Sequence, residues 1–176
     1  MSQIDTHQEP GDITSVHPVT LDDLENIVVR QGAEYWLSLR RGRRYPARKD
    51  LSPRDMQTLL RNLVLVKVID GGKDFEYRIV GEAQAQAYGW RLQGRRVSHI
   101  AAERPAYGHH VLGSYRHVRD YGEPLAVRAQ MGGDFPYLKF VYCEHAVLPL
   151  GNNDSAVDHL LIFSSYIPRD FSDHGR

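Results

Sequence analysis

The order of strand-like and helix-like segments after Asn62 is the feature that most constrains the fold. Runs of β-branched and alternating residues predict five strands, and Gly-containing turns separate most of them. The predicted strands span Leu63–Ile69, Phe75–Val80, Leu125–Met131, Tyr137–Leu148 and Val157–Tyr166. A helical block between the second and third strands runs to about Tyr121. Strands joined by short turns pair antiparallel, so the order predicts an α+β fold: a five-stranded antiparallel sheet with crossover helices on one face.

Three turns punctuate these strands and support the antiparallel pairing. They are Asp70-Gly71-Gly72, Gly132-Gly133-Asp134 and Gly151-Asn152-Asn153-Asp154. Each joins two neighbouring predicted strands, and this composition is typical of hairpin connections.

Several of the predicted strands are apolar on both faces. In the first of them, Val64 and Val66 alternate with Leu63 and Leu65. A sheet with one wet face would alternate apolar with polar residues, so both faces of this sheet must be covered. The crossover helices can cover one face. An N-terminal helix or a second subunit can cover the other.

The first third of the chain divides into a tail and a helical extension. Residues 1–19 are polar, carry two prolines and predict a disordered tail. Residues 20–62 predict the extension, in which Thr20 caps a helix that ends at Gly42 and Ser52-Pro53 begins a second one. Residues 63–168 then form the sheet-containing domain, and residues 169–176 form a C-terminal tail.

Composition narrows the functional classes. The chain has 176 residues with 22 basic and 22 acidic side chains, so no net charge favours nucleic acid or an anionic membrane as a partner. Cys143 is the single cysteine, which excludes an intramolecular disulfide. No apolar run has membrane-spanning length, and the N-terminus shows no secretory signal. We therefore expect a cytoplasmic protein.

A resemblance to a known family lies in the stretch after the second strand. Arg78–Val97 contains a strand end, an alanine-rich helix, Gly89 as a stop and Gly94 before two arginines. This order resembles the middle of a PAS domain. Upstream, Tyr35-Trp36-Leu37 and the basic segment before Leu51 resemble an alphaproteobacterial-type PAS subfamily, with Glu82 as a departure. The resemblance covers about residues 33–167.

The resemblance implies a non-enzymatic sensor of the bacterial cytoplasm, since it brings no catalytic residues with it. Such a module binds a small molecule in its cleft and relays the signal through partners such as histidine kinases. The alternative is a ligand-free adaptor that works through protein interaction and dimerisation.

The last helix of the crossover block supplies the predicted ligand site. At 100° per residue, polar and apolar residues fall on one stripe that faces the sheet. We take the ligand-binding set to be Tyr107, His110, Val111, Ser114 and His117, with Tyr77 and Tyr142 on the strands. The mixture of apolar, hydroxyl and imidazole groups is typical of a small-molecule pocket. An ordinary amphipathic helix is the alternative.

Haem is a further option, because some PAS sensors bind it through a histidine of the corresponding helix. His110, His117 and His99 are the candidates. In a chain with nine histidines, a hydrogen-bonded core histidine is the commoner outcome. No zinc-ligand spacing is present, so no metal site is predicted.

Cys143 is expected to be a small buried hydrophobe. A Cys143–His145 nucleophile pair is the alternative, but the sequence shows no carboxylate that would orient the histidine.

Two surface predictions complete the sequence picture. The basic run over residues 40–49 could follow phosphates, although a solvated linker whose arginines pair with the acidic tail, Asp50 or Asp55 is favoured. The leading helix offers a self-association surface for a homodimer. That surface comprises Leu24, Ile27, Val28, Tyr35 and Trp36. Packing of the helix on its own sheet is the alternative.

Overall fold

An antiparallel sheet forms the centre of the computed structural model, which describes residues 13–131 and 139–168. Within these ranges the sheet has six strands: β1 (Ile13–Val19), β2 (Leu63–Ile69), β3 (Asp74–Val80), β4 (Leu125–Met131), β5 (Phe140–Leu150) and β6 (His159–Pro168). Four α-helices accompany them: α1 (Ile27–Arg40), α2 (Glu82–Tyr88), α3 (Val97–Glu103) and α4 (Pro105–Tyr121). The α+β class and the PAS-like arrangement predicted from the sequence are confirmed.

The strands lie in the order β1-β4-β5-β6-β2-β3, and every neighbouring pair is antiparallel. β2 to β6 are the five predicted strands, with ends shifted by up to three residues. Since β3 lies at one edge and β4 lies beside the other, the chain between them must cross the sheet. α2, α3 and α4 form this crossover and cover one face. The turn predicted at Gly132–Asp134 falls outside the described residues.

β1 corrects the prediction for the N-terminal tail. Residues 13–19 form an edge strand that pairs with β4, with Val16 opposite Ala129 and Val19 opposite Ala126. Pro18 is compatible with this position, because an edge strand needs ladder hydrogen bonds on one side only. The strand covers the otherwise open edge of β4. This pairing is the physical reason why residues 13–19 form a regular strand. The rest of the predicted tails, residues 1–12 and 169–176, lies outside the described part of the chain.

α1 covers the face of the sheet opposite to the crossover helices. Asn26 caps the helix by accepting hydrogen bonds from the backbone N–H groups of Val28 and Val29. The helix therefore begins at Ile27, after a short 3₁₀ turn that Thr20 caps, and not at Leu21 as predicted. The indole N–H of Trp36 donates to the Pro149 carbonyl at 2.8 Å, which ties α1 to β5.

The segment after Ser52 is not the second α-helix that the sequence predicted. Between Ser52 and Asn62 the chain follows a series of tight turns, in which the N–H groups of Asp55, Met56, Leu59 and Asn62 each donate to the carbonyl three residues earlier. Met56 and Leu59 are buried three residues apart, a spacing that tight turns satisfy as well as an α-helix does. The N-cap and proline signal is present, but the segment never forms i→i−4 bonds.

Glycines terminate two of the crossover helices and permit close packing between two of them. Gly89 and Gly122 adopt positive φ at the ends of α2 and α4, as C-terminal caps do. Gly108 brings α4 against α3 so closely that a Cβ there would lie 2.0 Å from Cβ of Ala101.

Among the residues described, no helix combines the length and the apolar character needed to cross a membrane.

Candidate functional site

A cavity lies between the crossover helices and the sheet. Its wall comes from α2, α4 and the facing sides of β4, β5 and β6. Thirteen of the described residues line it: Gln84, Tyr88, Tyr107, His110, Val111, Ser114, Tyr115, Val127, His145, Val147, Ile162, Ser164 and Tyr166. The volume open to the centres of water molecules is about 40 Å³, enough for roughly three waters.

Two histidines face the cavity from opposite sides. His110 projects from α4, and His145 projects from β5, where its Nδ1 shares a 2.7 Å hydrogen bond with Oγ of Ser164. Burial, with a smaller contribution from the nearby His110, lowers the pKa of His145 to about 3. Burial also lowers the pKa of His110, with His109 adding to the effect. Both rings are therefore neutral near pH 7.

Buried tyrosines form much of the remaining wall. The hydroxyl of Tyr77 is hydrogen-bonded to that of Tyr107 and, at 3.0 Å, to that of Tyr115. Tyr166 donates from its hydroxyl to Oε1 of Gln84 at 3.2 Å. Burial raises the pKa of each of these tyrosines, so their hydroxyls stay protonated.

The lining is thus polar without being charged. It contains imidazole, hydroxyl and amide groups between apolar side chains, and no carboxylate, ammonium or guanidinium group belongs to the thirteen residues. Nε2 of His145, the ring nitrogen that does not bond Ser164, has no hydrogen-bond partner among the described residues. A molecule in the cavity could therefore exchange hydrogen bonds with neutral partners, while an ion would lose its hydration without gaining a counter-charge.

The structure brings together four of the seven predicted ligand-binding residues. Tyr107, His110, Val111 and Ser114 all line the cavity, as the stripe on α4 predicts. Tyr77 does not line it, but lies behind Tyr107 and Tyr115 and fixes their hydroxyls.

The other two predicted ligand-binding residues, His117 and Tyr142, do not line this cavity. His117 is exposed and contacts the ring of Tyr121, because its position lies at the margin of the stripe. Tyr142 lies on the opposite face of β5, close to Glu144 and Arg128, since alternate residues of a strand face opposite sides.

The sequence analysis did not predict the residues that the strands contribute to the cavity wall. His145 and Ser164 come together because β5 and β6 pair in a register that places them opposite each other. Their alternation with neighbours of the other face is visible in the sequence, but the register that joins them is not. Gln84 and Tyr166 were also missed.

The haem hypothesis does not fit this cavity. His110 is the one candidate that lines it, while His99 and His117 are exposed. A volume suited to a few waters has no room for a porphyrin ring beside His110. Within residues 13–131 and 139–168, no three His, Cys, Asp or Glu side chains lie close enough together to hold a metal ion.

Cys143 is buried beside this site. Burial raises the pKa of its thiol to about 12, so the group stays protonated and is a poor nucleophile near pH 7. It therefore packs as a small apolar side chain.

On the opposite face of β5, the buried carboxylate of Glu144 holds the corner between β1 and α1. It accepts hydrogen bonds from the backbone N–H groups of Glu25 and Asn26, the latter at 2.8 Å. It also accepts from Nε of Arg128 at 3.0 Å, and this bond raises the pKa of Arg128. β5 thus borders the cavity through one face and anchors the N-terminal corner through the other.

The basic segment over residues 40–49 is largely tied to the protein surface. Arg43 pairs with Asp50 at 2.6 Å, as the linker alternative proposed. Arg44 donates to the carbonyls of Asp154 and Tyr121. These contacts join the segment to the end of α4, and the acidic tail that was the other suggested partner lies outside the described residues.

The predicted dimer surface is mostly internal. Leu24 and Trp36 have no exposed surface, and Val28 and Tyr35 pack partly against the same core. Ile27 alone is well exposed. Leu24 and Trp36 therefore cannot contact a partner in this fold, because they fill the space between α1 and its own sheet.

Comparison with known proteins gives one match. The family model described as the PAS domain matches residues 26–160, well over half of the chain. A search of curated proteins and a search of solved structures each found no match.

Proposed function

This chain belongs to the PAS domain family, and on that premise we propose that it senses a small, uncharged molecule in the cavity between α4 and the sheet. The observation that carries the proposal is the neutral polar lining, in which two histidines with depressed pKa values face each other. Membership of the family makes the chain a signalling module at the coarse level. The lining of the cavity supports recognition of an uncharged ligand through hydrogen bonds.

The relay would run through β5. His145 and Val147 line the cavity, while Glu144, the residue before His145, lies on the other face of β5 and holds the backbone of the N-terminal corner. A ligand that displaces β5 would therefore shift Glu144 and with it the start of α1. Partners that read this shift are signalling proteins such as histidine kinases, in the proposed setting of the bacterial cytoplasm.

We also propose that the module acts without catalysis. The tyrosine hydroxyls and the thiol of Cys143 stay protonated, and both cavity histidines stay neutral with no carboxylate in the wall to orient them. Such a set offers hydrogen bonds more readily than general acid–base chemistry.

A histidine pair on α4 provides a matched test of ligand binding. His110 lines the cavity and His117 on the same helix is exposed. The full-length protein would be screened by thermal shift against uncharged carbonyl and five-membered heteroaromatic compounds of up to roughly five heavy atoms, because the cavity has room for only about three waters. We expect binders to raise the melting temperature of the wild type and of His117→Leu, and to lose most of that effect in His110→Leu.

Either of two results would contradict the proposal. One is a screen without binders together with native mass spectra that show no co-purified species. The other is an equal shift in both histidine variants, which would place the binding elsewhere.

The small volume of the cavity favours a second candidate function, a ligand-free adaptor with a closed cleft. For an adaptor, filling the cavity should leave partner binding intact. Ser114→Leu adds apolar volume inside the wall, so partner capture that survives this change while no ligand is found would favour the adaptor.

A further inference from the structure

A series of hydrogen bonds runs along the cavity wall from β5 to α2, and we call it the His145 network. It consists of His145, Ser164, Tyr166 and Gln84, all of which line the cavity. Nδ1 of His145 lies 2.7 Å from Oγ of Ser164. At the other end, the hydroxyl of Tyr166 donates to Oε1 of Gln84 at 3.2 Å. Ser164 and Tyr166 lie two residues apart on the same face of β6, and their side chains share the hydrogen bond that joins the two ends.

The carbonyl of Gln84 sets the direction of every bond in the His145 network. Tyr166 has one hydroxyl proton and gives it to Gln84, so its oxygen must accept from Ser164. The pKa of Tyr166 agrees with this direction: burial raises it, and the hydrogen bond from Ser164 acts in the opposite sense, as a bond donated to a phenolic oxygen does. Ser164 then has no proton left for His145, so Nδ1 of His145 donates to Oγ of Ser164.

This direction fixes the tautomer of His145. A neutral imidazole carries one ring proton, and the network holds that proton at Nδ1. Nε2 therefore carries a lone pair and no hydrogen. Since no described residue bonds Nε2, His145 offers the cavity a hydrogen-bond acceptor that cannot change its role while the network is intact.

The tyrosines of α4 offer the cavity a donor. Tyr77, Tyr107 and Tyr115 have three hydroxyl protons but share two hydrogen bonds, so one proton has no acceptor within the group. If Tyr107 and Tyr115 both donated to Tyr77, the proton of Tyr77 would be buried without an acceptor, which costs free energy. The spare proton therefore belongs to Tyr107 or Tyr115, both of which line the cavity.

We propose that the ligand of this cavity is a small uncharged molecule that donates an N–H or O–H group to Nε2 of His145 and accepts a hydrogen bond from a tyrosine hydroxyl of α4. The inference rests on the proposed function and narrows it to a ligand class. Azoles with both an N–H and a bare ring nitrogen meet the two conditions, and so do simple primary amides. A ligand that only accepts hydrogen bonds would cover Nε2 without pairing it, and an unpaired buried acceptor costs free energy.

Nitrogen NMR of the full-length protein at pH 7 tests the position of the proton. Long-range ¹H–¹⁵N spectra distinguish a protonated ring nitrogen from a bare one, and the signals that disappear in His145→Gln identify this residue. We expect a protonated Nδ1 and a bare Nε2. A proton on Nε2 would overturn the inference, because His145 would then present a donor to the cavity.

Two matched pairs of compounds test the ligand class. Pyrazole and isoxazole are rings of the same size, but only pyrazole has an N–H group. Acetamide and acetone differ in the same way. All four are uncharged at pH 7 and no larger than the compounds of the screen described above. In titrations followed by NMR, we expect pyrazole and acetamide to bind at least about tenfold more tightly than isoxazole and acetone, respectively.

The outcomes separate this inference from the proposed function. Binding of isoxazole and acetone that is as tight as that of their partners would overturn the ligand class, while sensing of an uncharged molecule would stand. Absence of binding by all four compounds would also overturn the class. The proposed function fails only if the wider screen and the native mass spectra are empty as well.

A pair of tyrosine variants tests the His145 network. Tyr166→Phe removes the acceptor of the Ser164 proton, so Ser164 can donate to Nδ1 and the ring proton of His145 moves to Nε2. We expect the NMR signals of His145 to report this change and the preference for pyrazole over isoxazole to fall by about tenfold.

Tyr142→Phe is the matched control, since Tyr142 lies on the opposite face of β5 and does not line the cavity. It should keep the tautomer and the ligand preference of the wild type, and circular dichroism confirms that both variants are folded. A Tyr166→Phe protein that keeps both properties as well would overturn the assignment of the proton to Nδ1 by this network.

Discussion

The imidazole of His145 links the stability of the fold to the chemistry of the cavity. Its Nδ1 is bonded to Ser164, and its environment lowers its pKa to about 3 from the usual 6.5. The unfolded chain therefore binds a proton at this residue over a range in which the folded chain does not. Between pH 6.5 and about 3, protonation favours unfolding, and stability falls as the pH falls.

Replacement of His145 should make that dependence shallower. In His145→Gln we expect the loss of unfolding free energy between pH 6.5 and 4.5 to be smaller than in the wild type by up to about 1.4 kcal/mol per pH unit. The variant keeps a polar group for Ser164. Urea unfolding at several pH values measures the slope. His117→Gln, at an exposed position, should keep the wild-type slope, and equal slopes in all three proteins would show that His145 does not resist protonation.

At the scale of elements, two glycines of α4 should respond to alanine with opposite signs. A Cβ at Gly108 would lie 2.0 Å from Cβ of Ala101 and 2.5 Å from its Cα, so α3 and α4 would have to separate. A Cβ at Gly113 meets nothing within 4 Å. We expect Gly108→Ala to lower the unfolding free energy by about 1–3 kcal/mol. Gly113→Ala should raise it by up to about 1 kcal/mol through helix propensity.

Thermal or urea denaturation of the two variants provides the measurement, and each serves as the control for the other. If Gly108→Ala proved as stable as Gly113→Ala, the close approach of α3 and α4 would not hold in solution.

The carboxylate of Glu144 makes a second prediction about elements. It accepts charge-assisted bonds from two backbone amides and from Arg128. In Glu144→Gln, the amide keeps the shape but removes the charge, so we expect a loss of about 1–3 kcal/mol. Hydrogen exchange at the Glu25 and Asn26 amides should accelerate with it.

Glu25→Gln is the matched control, because the side chain of Glu25 is 74% exposed and 3.4 Å from Arg128. It should change stability by less than about 1 kcal/mol. Unchanged exchange at both amides in Glu144→Gln would refute the role of Glu144 as the anchor of this corner.

Elements with strong periodicity were predictable from the sequence, and elements set by tertiary contact were not. β2 and β4 have their predicted bounds, because β2 is a β-branched run that ends before Asp70-Gly71 and β4 is a largely apolar run between Pro124 and Gly132. The turns after Ser52 carry helix-start signals, yet the chain never closes an α-helical turn there. In the site, the stripe of α4 was predictable from a 100° period. Its partners His145 and Ser164 depend on strand register, which short-range patterns do not determine.

At the scale of the whole molecule, β1 is the feature that the sequence analysis missed most completely. Its weak pattern reflects its edge position: Val16, His17 and Pro18 are exposed, and among the side chains of residues 15–19 Val19 is the one that packs against the core. The contribution of β1 therefore comes mainly from its ladder with β4, which closes one side of the sheet. The opposite edge, β3, is closed by the segment near Arg95, whose carbonyl accepts from the Tyr77 amide.

Deletion of residues 1–19 should therefore leave a folded protein with an exposed strand edge. The core loses little, so we expect a cooperative melting transition, lowered by the loss of the β1–β4 ladder. The bare amides and carbonyls of β4 would then template pairing between molecules, and light scattering should grow faster with temperature and concentration. Deletion of residues 1–12 is the matched control, since it keeps β1, and it should scatter like the full chain. Loss of cooperative melting after deletion of residues 1–19 would make β1 part of the folding core. Equal scattering by the two truncations would instead mean that the edge of β4 is protected by some other segment.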